Sequence, residues 1–203
     1  MPLFRSRAEQ KVRDAGFDPS RLPPGQYFTE KWPVLHAGSV PDVDIATWDF
    51  QVTGEVENPI RLTFDELKAL PQTELTTDIH CVTRWSRFDT SFRGVHWREL
   101  AKLAKPKPTA RFVIAHAEHG FTSNLPLEAI EADQALVASE ADGEPLTPDH
   151  GWPVRLVVPS RYFWKSAKWL RSLELRSTDE LGFWERYGYN NDADPWKEER
   201  YSF

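Results

Sequence analysis

The sequence predicts a mixed α+β fold, β-rich with short peripheral helices. Three observations carry this reading. Apolar runs are short and bounded by proline or glycine, as at Val154 to Val158 between Pro153 and Pro159. Apolar and polar residues alternate from Glu74 to Val82, the period of a strand entering a core. Helix marks inside the body are few, a capping box at Thr63 and a short amphipathic run at Trp97. The 203 residues are 13% aromatic and include nine tryptophans, so the chain has bulk for a real core and is not globally disordered.

Taken in order, residues 3 to 14 are charged and predict a short helix. Gly16, Pro19, Pro23, Pro24 and Gly25 then break regular structure, so 1–25 reads as an N-terminal surface arm. Gln26 to Pro41 is irregular but too aromatic for a free linker, which predicts a segment packed on the body. Trp48, Phe50 and Val52 mark a strand broken at Gly54, and Glu57-Asn58-Pro59 marks a turn. In Thr63-Phe64-Asp65-Glu66 the threonine hydroxyl and the glutamate each satisfy an orphan amide of a starting helix, which Pro71 ends. The strand to Cys81 follows, and after it a polar loop carrying Arg84, Arg87 and Arg93. Trp97 to Ala104 predicts a second helix, stopped by Pro106 and Pro108. Arg111 to Ala117 and Ala135 to Ser139 are short strands, Asp142-Gly143 a hairpin-type turn, and Leu146 to Pro153 a loop. Val154 to Val158 and Trp169 to Leu175 are further strands. Residues 179–203 form an aromatic tail expected to pack on the same domain.

Two constellations carry chemistry. The first is Asp78 to Ser86, with the single cysteine, Cys81, at a strand end. A buried cysteine is most often a small hydrophobe. Clustered cations nearby favour the thiolate, the form that binds metals. The second runs from His150 through Arg155 to Arg161, Lys165, Lys168, Arg171 and Arg176, with Glu174 the one acid near them. Arginine forks and lysine charges on loops between strands suit a phosphorylated ligand, although a solvated basic face has the same composition. His116 and His119 bracket Glu118, a spacing that is not by itself a zinc mark.

Several classes are excluded. A net charge of −6 argues against a general nucleic-acid binder. One cysteine rules out an internal disulfide framework, a four-cysteine zinc site and a Cys-x-x-Cys-His haem attachment. No run approaches the ~20 apolar residues of a membrane span, and no signal peptide is visible. The expectation is a soluble cytoplasmic protein with a small-molecule substrate.

Cys81 followed by Trp85-Ser86, then His150-Gly151-Trp152-Pro153-Val154-Arg155 running into a strand, then Lys168-Trp169-Leu170, resembles the sulfite oxidase superfamily. The likeness extends from about Gln26 to Leu175 and is nearest to its bacterial single-domain sulfite oxidase-like oxidoreductases. It implies a sulfite oxidase-type molybdopterin-binding fold over 26–178 and a molybdenum–molybdopterin (Mo-MPT) cofactor. It implies that the Cys81 thiolate ligates molybdenum and that His150 and Arg155 bind the pterin phosphate region. Ser166, Ala167 and Lys168 would contact the pterin. Phe28, Thr29, Lys31 and Trp32 occupy the arm that wraps the cofactor, and Ala117 falls at a further pterin contact. His80, Arg84, His116 and His119 are candidates for the substrate pocket. By the same resemblance, the arginine that helps sulfite oxidases hold their anion is replaced by Glu30, and electrons leave to a separate partner. The reaction implied is two-electron oxygen-atom transfer or a related reduction of a small substrate. Two other readings stand beside it: a cysteine-nucleophile enzyme pairing Cys81 with His116 or His150, and a cofactor-free binding module of the same fold.

Overall fold

Two β-sheets share one core, and the site lies where their loops meet the two ends of the chain. The computed structural model describes residues 3–132 and 134–202, with side chains from residue 7 onward. The first two residues of the predicted arm and the last of the predicted tail lie outside them. The elements in order are α1 (Leu3–Asp14), β1 (Tyr27–Phe28), β2 (Asp49–Gly54), β3 (Ile60–Thr63), α2 (Phe64–Ala69), β4 (Gln72–His80), β5 (Trp85–His96), α3 (Trp97–Ala104), β6 (Phe112–Ala117), β7 (Thr122–Pro126), α4 (Leu127–Ala132), β8 (Leu136–Ala141), β9 (Glu144–Pro145), β10 (Arg155–Val157), β11 (Leu170–Arg176) and α5 (Phe183–Arg186).

The first sheet runs β1-β5-β8-β10, with β4 beside β5 and β9 beside β8; the second runs β3-β2-β11-β6-β7. Sequence neighbours pair antiparallel. The two parallel pairings, β1 with β5 and β11 with β2, join segments far apart in the chain. The alternation of side chains explains why the first sheet reads as unbroken apolar runs. Val137, Leu156 and Val158 face the main core. Leu136, Ala138 and Val157 turn to the opposite face and join Ile79, Cys81, Trp85 and Phe92 in a second, smaller cluster. A sheet covered on both faces needs apolar residues at every position.

The helix marks are realised. Thr63 and Glu66 form the capping box that opens α2, and α3 buries Trp97, Leu100 and Ala104. Asp142 and Gly143 both take positive φ, at 52° and 83°, in the β8–β9 turn, the backbone such two-residue hairpins require. One reading is corrected. The arginine-rich stretch after Cys81 is not a loop but β5, twelve residues long. Its buried residues Phe88, Thr90, Phe92 and Gly94 alternate with partly exposed ones, so Arg87 and Arg93 stand on its polar face. They pair with Asp142 and Glu140. β1, β3, β7, α4 and α5 are additions to the sequence reading, and β1 corrects the expectation that the segment from Gln26 is irregular throughout: Tyr27 and Phe28 pair with Trp85 and Ser86 of β5.

Candidate active site

Cys81 follows the last residue of β4 and opens a four-residue connection to β5. Cys81 N–H donates to the Trp85 carbonyl and Arg84 N–H donates back to Cys81 O, each at 2.9 Å. Closing this turn places Arg84 at φ 78°. His119 and Trp169, at 58° and 53°, carry the same strain beside the cavity. The Cys81 side chain is buried, and Thr83 Oγ1 donates to its Sγ at 3.2 Å. Burial pushes the thiol's pKa up, opposed by the Thr83 hydrogen bonds and by the Arg200 charge. The arginines expected to lower it are occupied elsewhere: Arg84 donates to Gly25 O at 3.4 Å, while Arg87 and Arg93 bind carboxylates.

Cys81 opens into a cavity of about 520 Å³, within the range of small-molecule and cofactor pockets. Its cysteine wall is Cys81, Val82, Thr83 and Trp85. Its cationic wall is His150, Arg155, Ser166, Ala167 and Lys168, and Trp32, Phe163, Trp164 and Tyr189 form flat aromatic sides.

The cationic wall is held from within. Arg155 is 2% exposed, and its fork donates to His150 O and Ser166 O, both at 2.9 Å. Its guanidinium lies 4.2 Å from the Phe163 ring centre and 5.5 Å from that of Trp32. Burial lowers its pKa to about 9. Lys168 donates to Leu35 O and Asp149 O at 2.9 Å each, and burial, with Arg155 beside it, brings its pKa to about 7. His150 stacks on Trp32 at 4.1 Å and accepts or donates at Nδ1 with Thr147 Oγ1. Its pKa falls by burial and by Arg155 and Lys168, against the nearby Trp32 backbone. Gly151, at φ 108°, lets the loop close: a Cβ there would stand 3.0 Å from that of Lys168 and 3.2 Å from that of Arg155.

The residues named from the sequence divide. Trp32, Cys81, His119, His150, Arg155, Ser166, Ala167 and Lys168 line this cavity. Phe28 packs instead with Phe17 and Phe88, Thr29 Oγ1 accepts from Lys31 N–H, and Lys31 is exposed. Ala117 belongs to the main core. His116 Nε2 meets Glu174 at 2.8 Å on the second sheet. His80 is buried against Ser86 Oγ at 2.8 Å, with its pKa brought down to about 4 by desolvation. Glu30 is exposed and lies off the cavity wall. Of the basic series, Lys165 turns inward to Glu185 at 2.7 Å, Arg171 pairs with Glu118 and Arg176 with Glu180. Phe163, Trp164, Tyr189 and Thr83 were missed. The aromatic triplet Tyr162-Phe163-Trp164 inside a basic stretch was the available signal for the first two.

A sequence model of the family described as "Oxidoreductase molybdopterin binding domain" matches residues 37–184. The chain belongs to this family. Among curated relatives of this molybdopterin-binding oxidoreductase, "Uncharacterized oxidoreductase YuiH" of Bacillus subtilis is 48% identical, over 90% of this chain and 93% of that one. "Sulfite oxidase, mitochondrial" of Rattus norvegicus is 28% identical over 82% of this chain and 37% of its own length. The crystal structure of the sulfane dehydrogenase SoxCD from Paracoccus pantotrophus superposes with a TM-score of 0.66, covering 75% of this chain and 43% of that one at 23% identity. The fold is thus of the sulfite oxidase type, and the family's cofactor is molybdenum with molybdopterin. The donor set fits that group. One wall offers a soft sulfur, suited to a soft metal centre. Another offers a guanidinium and an ammonium matched to phosphate, and the aromatic sides match a flat ring system. Arg155 Nε and Trp85 Nε1 are buried without hydrogen-bond partners among the described residues.

Proposed function

We propose that this chain is a mononuclear molybdenum oxidoreductase in which the Cys81 thiolate ligates the metal. It would carry out two-electron oxygen-atom transfer to or from a small substrate, or a related reduction, with a separate partner protein taking the two electrons when substrate is oxidised and supplying them when it is reduced. The observation that carries the reading is the placement of the single, buried cysteine on a hydrogen-bonded turn in the same cavity as Arg155 and Lys168. The cofactor supplies the redox chemistry when bound. The chain supplies the rest. Arg155, Lys168 and His150 hold the phosphorylated end, Trp32 and Phe163 flank the ring, and Thr83 donates to the sulfur. The aromatic sides limit water at the reacting centre.

The cysteine-nucleophile reading finds less support. Among the described residues no hydrogen bond joins Cys81 Sγ to a histidine: His116 is engaged by Glu174, His80 faces Ser86, and His150 Nδ1 is held by Thr147. The test is molybdenum counted per chain in protein from a host that makes the cofactor. About one per chain is expected, with turnover lost in Cys81→Ser while the cooperative unfolding transition is kept. Retained turnover in that variant would remove the ligand assignment.

A further inference from the structure

We infer that Arg200, acting with Gln26, is the positioning residue for the metal-binding cysteine; the inference rests on the reading of Cys81 as the ligand. The guanidinium is almost fully buried, with its side chain 6% exposed. Its Nη1 donates to Val82 O at 2.8 Å, and its Nη2 to Gln26 Oε1 at 2.8 Å and Pro24 O at 3.3 Å. Gln26 Nε2 completes the link by donating to Cys81 O at 3.1 Å, Trp85 O at 2.9 Å and Ser86 Oγ at 3.2 Å. The carbonyls of Cys81 and of the next residue are thus both held by these two side chains, one from each end of the chain.

Arg200 is held by neutral acceptors rather than by a close ion pair: Glu198, the one carboxylate within 4 Å among the described residues, is 3.9 Å away and half exposed, and the guanidinium lies 4.9 Å from the Tyr162 ring centre. Its Nη donors are spent on Val82 O, Gln26 Oε1 and Pro24 O, so its burial fixes the Cys81–Val82 backbone. The backbone is shaped for the approach. Gly25, at φ 71°, leaves room where a Cβ would stand 2.3 Å from Glu198 Oε1 and 3.2 Å from Arg200 Nη2. The segment bearing Arg200 is itself tied down: Asn190 N–H donates to Arg200 O, and Ser202 N–H to Gly188 O. Tyr189, on that same strap, lines the cavity. Gln26 and Arg200 both lie outside the residues matched by the family model, 37–184.

The experiment compares holo-protein of the wild type, Arg200→Gln, Arg200→Lys, Gln26→Leu and Cys81→Ser. Each is read by molybdenum per chain and by the paramagnetic resonance spectrum of the partly reduced metal. Arg200→Gln is expected to keep molybdenum but to give a shifted or split spectrum and turnover reduced about 10- to 100-fold, the usual effect of losing a group that orients a metal ligand. Arg200→Lys should fall between it and the wild type. Gln26→Leu, which loosens the turn from the other side, should reproduce the altered spectrum and decides the matter if Arg200→Gln does not fold. A wild-type spectrum in loaded Arg200→Gln or in Gln26→Leu overturns the inference. If Cys81→Ser also keeps the wild-type spectrum, the ligand assignment itself has failed; if Cys81→Ser alone changes it, only the role of Arg200 has.

Discussion

The side chains of the cationic wall all come from one stretch of chain, residues 150–168, with Trp32 and Leu35 closing on them from the arm, whereas the turn that bears the cysteine is held by side chains from both ends. In the first, Arg155 bonds His150 and Ser166 a few residues away. In the second, Cys81 and Val82 are fixed by Gln26 and Arg200. The difference is one of range. Arg155 draws its two hydrogen-bond acceptors from its own loop region, so that part of the cationic wall forms with the loop. A wall held from afar depends on the whole chain being in place, and it is the one that carries the sulfur.

The sharpest way to break the comparison is Arg155→Met. It leaves two carbonyls without their donor in a dry setting, each worth about 1–3 kcal/mol. The expected loss of unfolding free energy in urea is therefore about 2–6 kcal/mol, together with loss of bound molybdenum. A stability change below about 1 kcal/mol would show that Arg155 does not hold the cationic wall together. Trp32→Ala comes next. It removes the ring stacked on His150 and one of the two rings near the Arg155 charge, contacts worth about 1–2 kcal/mol together. Molybdenum retained through gel filtration should fall while the folded state persists.

Lys168 offers a pH test of the same wall. Its folded pKa, about 7, lies below the ~10.4 of an unfolded lysine. Between those values the unfolded chain binds the extra proton, so unfolding free energy rises as pH increases from about 7 towards 10 and this gain is absent below 7. In protein from a host lacking the cofactor, the urea midpoint should move upward between pH 7 and pH 9 by more in the wild type than in Lys168→Met. Equal shifts would dismiss Lys168 as the titrating group. The smallest effect is expected from His116→Ala. The ring is 39% exposed and, among the described residues, paired only with Glu174, so stability should change by about 0.5 kcal/mol and turnover by less than about twofold. A larger loss of turnover would return His116 to the substrate path.

Legibility in the sequence follows the same division. His150, Arg155, Ser166, Ala167 and Lys168 were readable because their motif is local, and Cys81 because it is unique. Strands with clean apolar runs were readable too. β5 was not, because Arg87, Asp89 and Arg93 on its polar face mask the alternation of Phe88, Thr90 and Phe92 beneath. The basic series after Arg155 reads as one patch in sequence, yet Lys165, Arg171 and Arg176 part to different acids while Lys168 turns to the cavity, since composition does not say which way a side chain turns. Arg200 and Gln26 carry no motif at all: 174 residues separate them, and only packing brings them together.

The β-strand β11 sits in the middle of the second sheet, between β2 and β6, and Leu173 pairs in parallel with Val52. A central strand delivered so late sets an order on biosynthesis. At the ribosome, where chains lengthen by ~5–20 residues/s, the β4–β5 hairpin with its cysteine emerges well before β11 can close the second sheet, and Arg200 emerges later still. The nascent chain thus exposes a loose thiol first and acquires its mooring afterwards. A nonsense codon just upstream of residue 200 would spare all eleven strands and remove the mooring.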